Sequence, residues 1–237
     1  MRSLLVVDLG RQSYAESLAL QREAARARIA GVLDEDLLLL VEHPPVVTLG
    51  RSSKAAHLLA SPAALALQGV ELFEVERGGD VTFHGPGQLV GYPIVDLKRH
   101  RQDLHWYLRQ VEETLIRALR AYGLCGRREA GYTGVWIDDR KIASIGVHAR
   151  DWVTWHGFAL NVATDLRWFD LIVPCGIQSV RMTSMREELA DSPVSLADAA
   201  RGVAESAGDV FGLAVTPMSP QDLREALRLR TAVVLPE

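Results

Sequence analysis

Residues 77–93 read RGGDVTFHGPGQLVGYP, five glycines and two prolines set with Arg77, Asp80 and His84 between two runs of strand-forming residues. No other stretch of the chain holds so many backbone-permissive residues so close together. Glycine allows positive φ in tight turns and lets another group approach the bare backbone. Two structures satisfy the pattern. One is a plain hairpin, with Val81 and Phe83 on one strand, a Gly-Pro-Gly turn at Pro86, and Leu89, Gly91 and Pro93 on the next. The other is a loop that cradles a substrate. Arg77 beside two glycines and His84 at the mouth of the turn favour the loop, because a guanidinium and an imidazole are costly to hold there for packing alone.

The chain has 237 residues and a formal net charge of −4. The length suffices for one large domain with a real core, and we expect residues 1–237 to form a single domain. Acids and bases are interleaved, so the overall field gives no case for nucleic acid or membrane binding. The two cysteines, Cys125 and Cys175, have no metal-like spacing. No apolar run is long enough to span a bilayer and MRSLLVVDLGRQ is too short in its apolar part for a signal peptide, so a cytoplasmic protein with free thiols is the expectation.

Along the chain, LLVVDL (4–9) reads as a strand, and Ser13 with Glu16 is a capping box opening a helix over 14–30. DLLLLVEH (36–43) is apolar throughout, as in a strand buried on both faces. Ser61-Pro62 opens a short helix over 62–68, VELFEVE (70–76) alternates, and Asp103 caps a helix running to Tyr122 that Gly123 ends. Residues 133–162 predict a meander: TGVWI, a turn at Asp138-Asp139, KIASIGVHA, a second turn, then VTWHGFALNV. A loop or helical turn follows over 165–178. Ser195 opens a helix to Phe211, LAVTPM is a short strand and Ser219-Pro220 starts a final helix. Strands gather in the first two thirds without regular βαβ alternation, which predicts an α+β fold on a largely antiparallel or mixed central sheet flanked by helices.

Few residues carry chemistry. Cys175, between Pro174 and Gly176, lies in a turn that can present its sulfur, whereas Cys125 sits beyond a helix end. A lone cysteine is either a small core residue or a nucleophile. Lys141, just after the Asp138-Asp139 turn, reads by itself as a solvated surface lysine. His84 and His156 are titratable but have no metal-binding company, so they are assigned to a pocket and no metal is expected. Neither GxxxxGK[ST] nor GxGxxG at a helix start is present, which removes ordinary P-loop and Rossmann enzymes.

The glycine-rich segment, with HPPVVTLGR (43–51), TGVWIDDRKIASIG (133–146), HGFALNV (156–162) and IVPCGI (172–177), resembles the signature of the lipoyl(octanoyl) transferases in both motif and order. The resemblance covers most of residues 40–185, and one departure is Phe83, where that family more often has tyrosine. It implies the catalytic fold shared by biotin and lipoate protein ligases. It implies a Cys175–Lys141 catalytic dyad, and a substrate-binding set of Arg77, Gly78, Gly79, Asp80, Val81, Thr82, Phe83, His84, Ser144, Ile145, Gly146, Gly157, Phe158 and Ala159. The implied reaction moves an octanoyl or lipoyl group from acyl carrier protein, through a cysteine thioester and with no cofactor, to a lysine of a lipoyl domain. Acceptors would be the lipoyl domains of 2-oxoacid dehydrogenase complexes and the glycine cleavage H protein, with the enzyme a monomer. Lys54, Arg127, Arg128, Arg140 and Arg150 are candidate docking positions for an acidic carrier. Two alternatives stay open, an ATP-dependent lipoate ligase and a non-catalytic module that binds lipoyl domains. Binding alone needs neither Cys175 nor Lys141, which argues against the module.

Overall fold

A computed structural model describes residues 2–190 and 193–234. The first half contains β1 (Ser3–Arg11), α1 (Tyr14–Ile29), β2 (Asp36–Glu42), β3 (Val46–Leu49), α2 (Pro62–Leu67), β4 (Glu71–Glu74), β5 (Val81–His84) and β6 (Gln88–Ile94). It continues with α3 (Leu104–Arg120), β7 (Gly134–Ile137), β8 (Arg140–Arg150) and β9 (Val153–Asn161). The last part holds β10 (Arg181–Met182), α4 (Met185–Leu189), α5 (Leu196–Phe211), β11 (Ala214–Pro217) and α6 (Pro220–Val234). Helices begin where side-chain caps were expected. Ser13 Oγ accepts from the Glu16 N–H and donates to its carboxylate, and Asp103 Oδ1 accepts from the Trp106 N–H. Ser61, Ser195 and Ser219 cap their helices in the same way.

The large sheet is mixed and runs β10-β8-β9-β6-β2-β1-β11, with β7 also on β8. Pairs β1/β2, β1/β11 and β8/β10 are parallel; β2/β6, β6/β9, β8/β9 and β7/β8 are antiparallel. Its β2 is buried on both faces for the reason its unbroken apolar run implied. Leu38 and Leu40 pack toward Val111, Leu115 and Leu119 of α3 and Val203 and Phe211 of α5. Leu37, Leu39 and Val41 pack toward Leu20 and Ala24 of α1 and Leu223 of α6. Helices on both sides leave the sheet no wet face at its centre. Among the described residues no helix is long and apolar enough to cross a membrane.

A second sheet, β4-β3-β5, stands beside the first. This decides the question left open at residues 77–93, because β5 and β6 do not form a hairpin. β5 pairs antiparallel with β3, while β6 lies between β2 and β9 in the large sheet. The Gly85-Pro86-Gly87 turn therefore carries the chain from one sheet to the other. Gly87 has φ +79°, accepts the N–H of Ala163, and sits so tightly that a Cβ there would come within 2.5 Å of the Ala163 carbonyl oxygen. Only glycine allows that crossing.

Candidate active site

A cavity of about 200 Å³ opens between the two sheets, roofed at one end by α1. Strand alternation decides which of the glycine-rich residues reach it, since neighbours on a strand point to opposite faces. Thr82 and His84 of β5 line the cavity, as do Arg77, Gly79 and Asp80 ahead of it. Val81 and Phe83 point the other way. They join the cluster around Val47, Leu65 and Phe169, where Phe83 stacks on Trp168 at 5.5 Å between ring centroids. Gly78 is also outside the lining and anchors its loop by donating to the Val147 carbonyl at 2.8 Å. So Gly78, Val81 and Phe83 do not contact the cavity, and the tyrosine-to-phenylalanine departure falls in a packing cluster. The other expected positions, Ser144, Ile145 and Gly146 of β8 and Gly157, Phe158 and Ala159 of β9, all line it.

At the outer end, residues Pro174–Gly176 form a single tight helical turn with Cys175 in the left-handed region, at φ 56° and ψ 18°. A non-glycine residue adopts that conformation only where its surroundings impose it. Here they are specific. The Val173 N–H donates to the His57 carbonyl at 2.8 Å, and Gly176 closes the turn onto Val173 at 2.9 Å. Gly176 itself, at φ +67°, lies against a His57–Asp80 pair whose Nδ1···Oδ2 separation is 2.6 Å. Asp80 Oδ1 in turn accepts the Val81 N–H at 2.7 Å. The Cys175 turn is thus seated on the glycine-rich segment through His57, a residue that no local pattern singled out.

The turn places Cys175 Sγ 3.2 Å from Lys141 Nζ and 3.5 Å from Ser144 Oγ. Lys141 is 1% exposed, so the reading of a solvated surface lysine is overturned. It follows a turn in sequence, but β7 and β10 flank it on β8 and cover it. Its ammonium donates to the Thr133 carbonyl at 3.3 Å and lies 4.7 Å from the centre of the Trp136 ring. Among the described residues it makes no ion pair with a carboxylate. A buried ammonium needs a countercharge, and the thiol is the group placed to supply one. Burial pushes the Cys175 thiol up, but the Lys141 charge, hydrogen bonds to Ser144 and Lys141, and the Arg77 charge outweigh it and leave the thiol below its ordinary value. Cys125, by contrast, is exposed.

Arg77 is buried and held by Thr48, whose carbonyl accepts at 2.7 Å and whose hydroxyl accepts at 2.8 Å. A Cβ at Gly50 would come within 2.6 Å of its guanidinium and one at Gly146 within 3.4 Å, so bare backbone makes the room it occupies. Deeper in, the titratable groups are uncharged. His84 Nδ1 lies 2.8 Å from Gln88 Oε1, and burial pushes the ring down to about 3. Burial also raises Tyr14 to about 12 and lowers His156. His84 is therefore a neutral imidazole at neutral pH. Tyr14, Val90, Tyr92, Gly131, Tyr132, Thr133 and Ile177 complete the lining and were not among the expected positions. Val90, Tyr92, Thr133 and Ile177 stood inside motifs already noted; Tyr14 gave no local signal, since only the packing of α1 against the sheet brings it here.

The chain as a whole is similar to known proteins in both sequence and fold. A family model described as the lipoyl protein ligase A/B catalytic domain matches residues 13–207, and the chain belongs to that family. The octanoyltransferase of Acidobacterium capsulatum is 49% identical over 243 residues, covering 96% of this chain and 98% of its own. That of Rubrobacter xylanophilus is 51% identical over 205 residues, covering 86% of this chain and 91% of its own. The fold is that of the lipoate-protein ligases. A lipoate-protein ligase A crystallised with ATP superposes with a TM-score of 0.76 at 18% identity, over 97% of this chain and 94% of that one.

Proposed function

We propose that the chain is an acyltransferase that moves an octanoyl group from an acyl carrier protein thioester to the lysine amine of a lipoyl domain, through an acyl thioester on Cys175. The observation that carries this is the 3.2 Å approach of Lys141 Nζ to Cys175 Sγ, made by a buried lysine with no carboxylate partner among the described residues. In the first half-reaction the Cys175 thiolate attacks the thioester carbonyl carbon, and the carrier thiolate leaves with a proton from the Lys141 ammonium. In the second, the acceptor amine attacks the new thioester. Lys141, now neutral, takes the amine's proton, and Cys175 departs as thiolate, restoring the starting state. Exchange of one thioester for another is nearly isoenergetic and amide formation is downhill, so the sequence of steps needs no ATP.

Docking charges can be narrowed. Of the five basic positions considered, Arg127 pairs with Glu129, Arg128 with Glu112 and Glu113, Arg140 with Glu188, and Arg150 with Asp151. Lys54 makes no ion pair among the described residues and is exposed on the loop that leads to His57, which leaves it the best placed of the five to meet an acidic donor.

The test is intact-protein mass spectrometry after mixing with octanoyl-acyl carrier protein in the absence of ATP. One octanoyl adduct is expected, on Cys175 and removable by hydroxylamine. An unchanged mass, an adduct on Cys125, or acylation that requires ATP and free octanoate overturns the reading, the last in favour of a ligase.

A further inference from the structure

The inner end of the cavity carries hydrogen-bonding groups that the protein leaves unused. His156 lines the cavity and is 1% exposed, yet neither ring nitrogen has a hydrogen-bond partner among the described residues. Glu76 Oε1, at 3.6 Å from Nε2, is too far. The backbone of His156 is left-handed, at φ 57°, in the middle of a strand. Gln21 of α1 holds it there: its Oε1 accepts the His156 N–H at 3.0 Å, while its Nε2 is buried without a partner. Buried polar groups are almost always satisfied, so three unpartnered atoms at one place, on a strained backbone, call for solvent or a ligand.

The β8–β9 register gives the distance from this place to the nucleophile. Ser144, whose hydroxyl is 3.5 Å from Cys175 Sγ, pairs with Ala159; Gly146 pairs with Gly157; Val147 pairs with His156. From the level of Ser144 to that of His156 is three residues along β8, about 10 Å at the strand rise. The seven carbon–carbon bonds of an extended octanoyl chain span about 9 Å. Between the two levels the cavity offers Ile145, Val90 and Ala159 and the open backbone of Gly146 and Gly157, a surface suited to methylenes. An octanoyl group on Cys175 laid along β8 therefore ends where His156 begins.

We propose that His156, held by Gln21, is a specificity-determining polar stop that limits the acyl chain to about eight carbons. Two further methylenes would have to displace solvent from the imidazole and the Gln21 amide without replacing its hydrogen bonds, a cost that an apolar chain end cannot recover. The inference rests on acyl transfer through Cys175 and adds the length of the group transferred.

The experiment offers equal concentrations of octanoyl- and decanoyl-acyl carrier protein to one sample and reads the ratio of the two acyl-enzymes by intact mass. The ratio is internal to each sample and does not depend on how much protein is active. Wild type should carry octanoyl over decanoyl by at least about tenfold, since a pocket discriminates about 10- to 200-fold per methylene. His156→Leu removes the polar ring, and His156→Gly opens space while accepting the left-handed backbone. Both should move the ratio toward decanoyl by at least about tenfold. Equal loading of both donors by wild type, or an unchanged ratio in both variants, overturns the stop. So does loss of all loading in variants that remain folded by circular dichroism, because that outcome assigns His156 to positioning. If neither variant folds, Gln21→Met removes the unpartnered amide from α1 alone and its ratio decides in the same way. Wild type that loads neither donor refutes the transferase reading itself, a result separate from any of these.

Discussion

The two ends of the cavity ionise oppositely. At the outer end Cys175 is drawn toward thiolate although burial alone would keep it protonated, because Lys141 stands 3.2 Å away and Arg77 adds a second positive charge. At the inner end His84, and His43 packed behind it, are pushed down to about 3 and about 4, and Tyr14 is pushed up to about 12. The difference lies in the partners. His84 meets Gln88, and His43 meets the Gln12 carbonyl and the Tyr92 hydroxyl, none of them a countercharge. Burial neutralises a group left with uncharged neighbours and is overruled where an opposite charge is in contact. The mouth of the cavity thus favours an anion, while the groups of its interior stay uncharged.

The largest effect should come from removing the cation that makes the ends differ. Lys141→Ala should slow acyl loading by about 10²- to 10⁴-fold, and Lys141→Arg should be similarly impaired, because a guanidinium stays protonated and can neither give the carrier thiolate its proton in loading nor take the amine's proton afterwards. The same alanine variant should shift the pH profile of Cys175 alkylation upward, toward or beyond the ordinary thiol value of about 8.5. Substantial loading by the arginine variant would mean that Lys141 supplies charge without moving a proton. Near-normal rates in the alanine variant would erase the contrast between the two ends.

A smaller loss is expected when Cys175 is displaced with its charge partners kept. Gly176→Ala puts a methyl within 2.5 Å of Asp80 Oδ2 and 3.1 Å of the His57 ring, at a backbone φ of +67°. Single-turnover loading should fall by about 10²-fold, the penalty of an ångström-scale misplacement, in protein that circular dichroism shows to be folded. Loading at the wild-type rate would show that the His57–Asp80 seat does not position Cys175.

The smallest effect is one on stability at the inner end. Burial lowers His43 and His84 in the folded state, so between the unfolded value of about 6.5 and their folded values the unfolded chain binds the extra protons. Stability should therefore fall as pH drops below about 6.5, by up to on the order of 1.4 kcal/mol per pH unit for each histidine. Urea unfolding at pH 7 and pH 5, above the range where carboxylates titrate, measures it. A flat result would mean that the inner histidines accept protons without unfolding, and the comparison of the two ends would lose its basis.

Local elements were legible because their signals are local. A capping serine acts within one turn, so Ser13, Ser61 and Ser195 marked helix starts from sequence. The alternation and turns of 133–162 likewise sufficed to foresee the β7–β8–β9 meander. The glycine-rich segment was recognised as unusual, yet whether it made a hairpin depended on partners far along the chain: β3 for β5, and β2 and β9 for β6. The same holds inside it, where period-two geometry turned Val81 and Phe83 away from the cavity once the pairing of β5 was settled.

The amino-acid sequence by itself determined where strands and helices form, that β2 would be buried on both faces, and which family's residues the chain carries, because periodicity, caps and motifs are properties of neighbours. Only the tertiary structure decided that Lys141 is buried, that His57 and Asp80 seat the Cys175 turn, and that His156 pairs with β8 about 10 Å from the level of Ser144, beside Cys175. Those facts depend on burial and on contacts between segments 23 to 135 residues apart in the chain, and such contacts exist only when the sheets have formed.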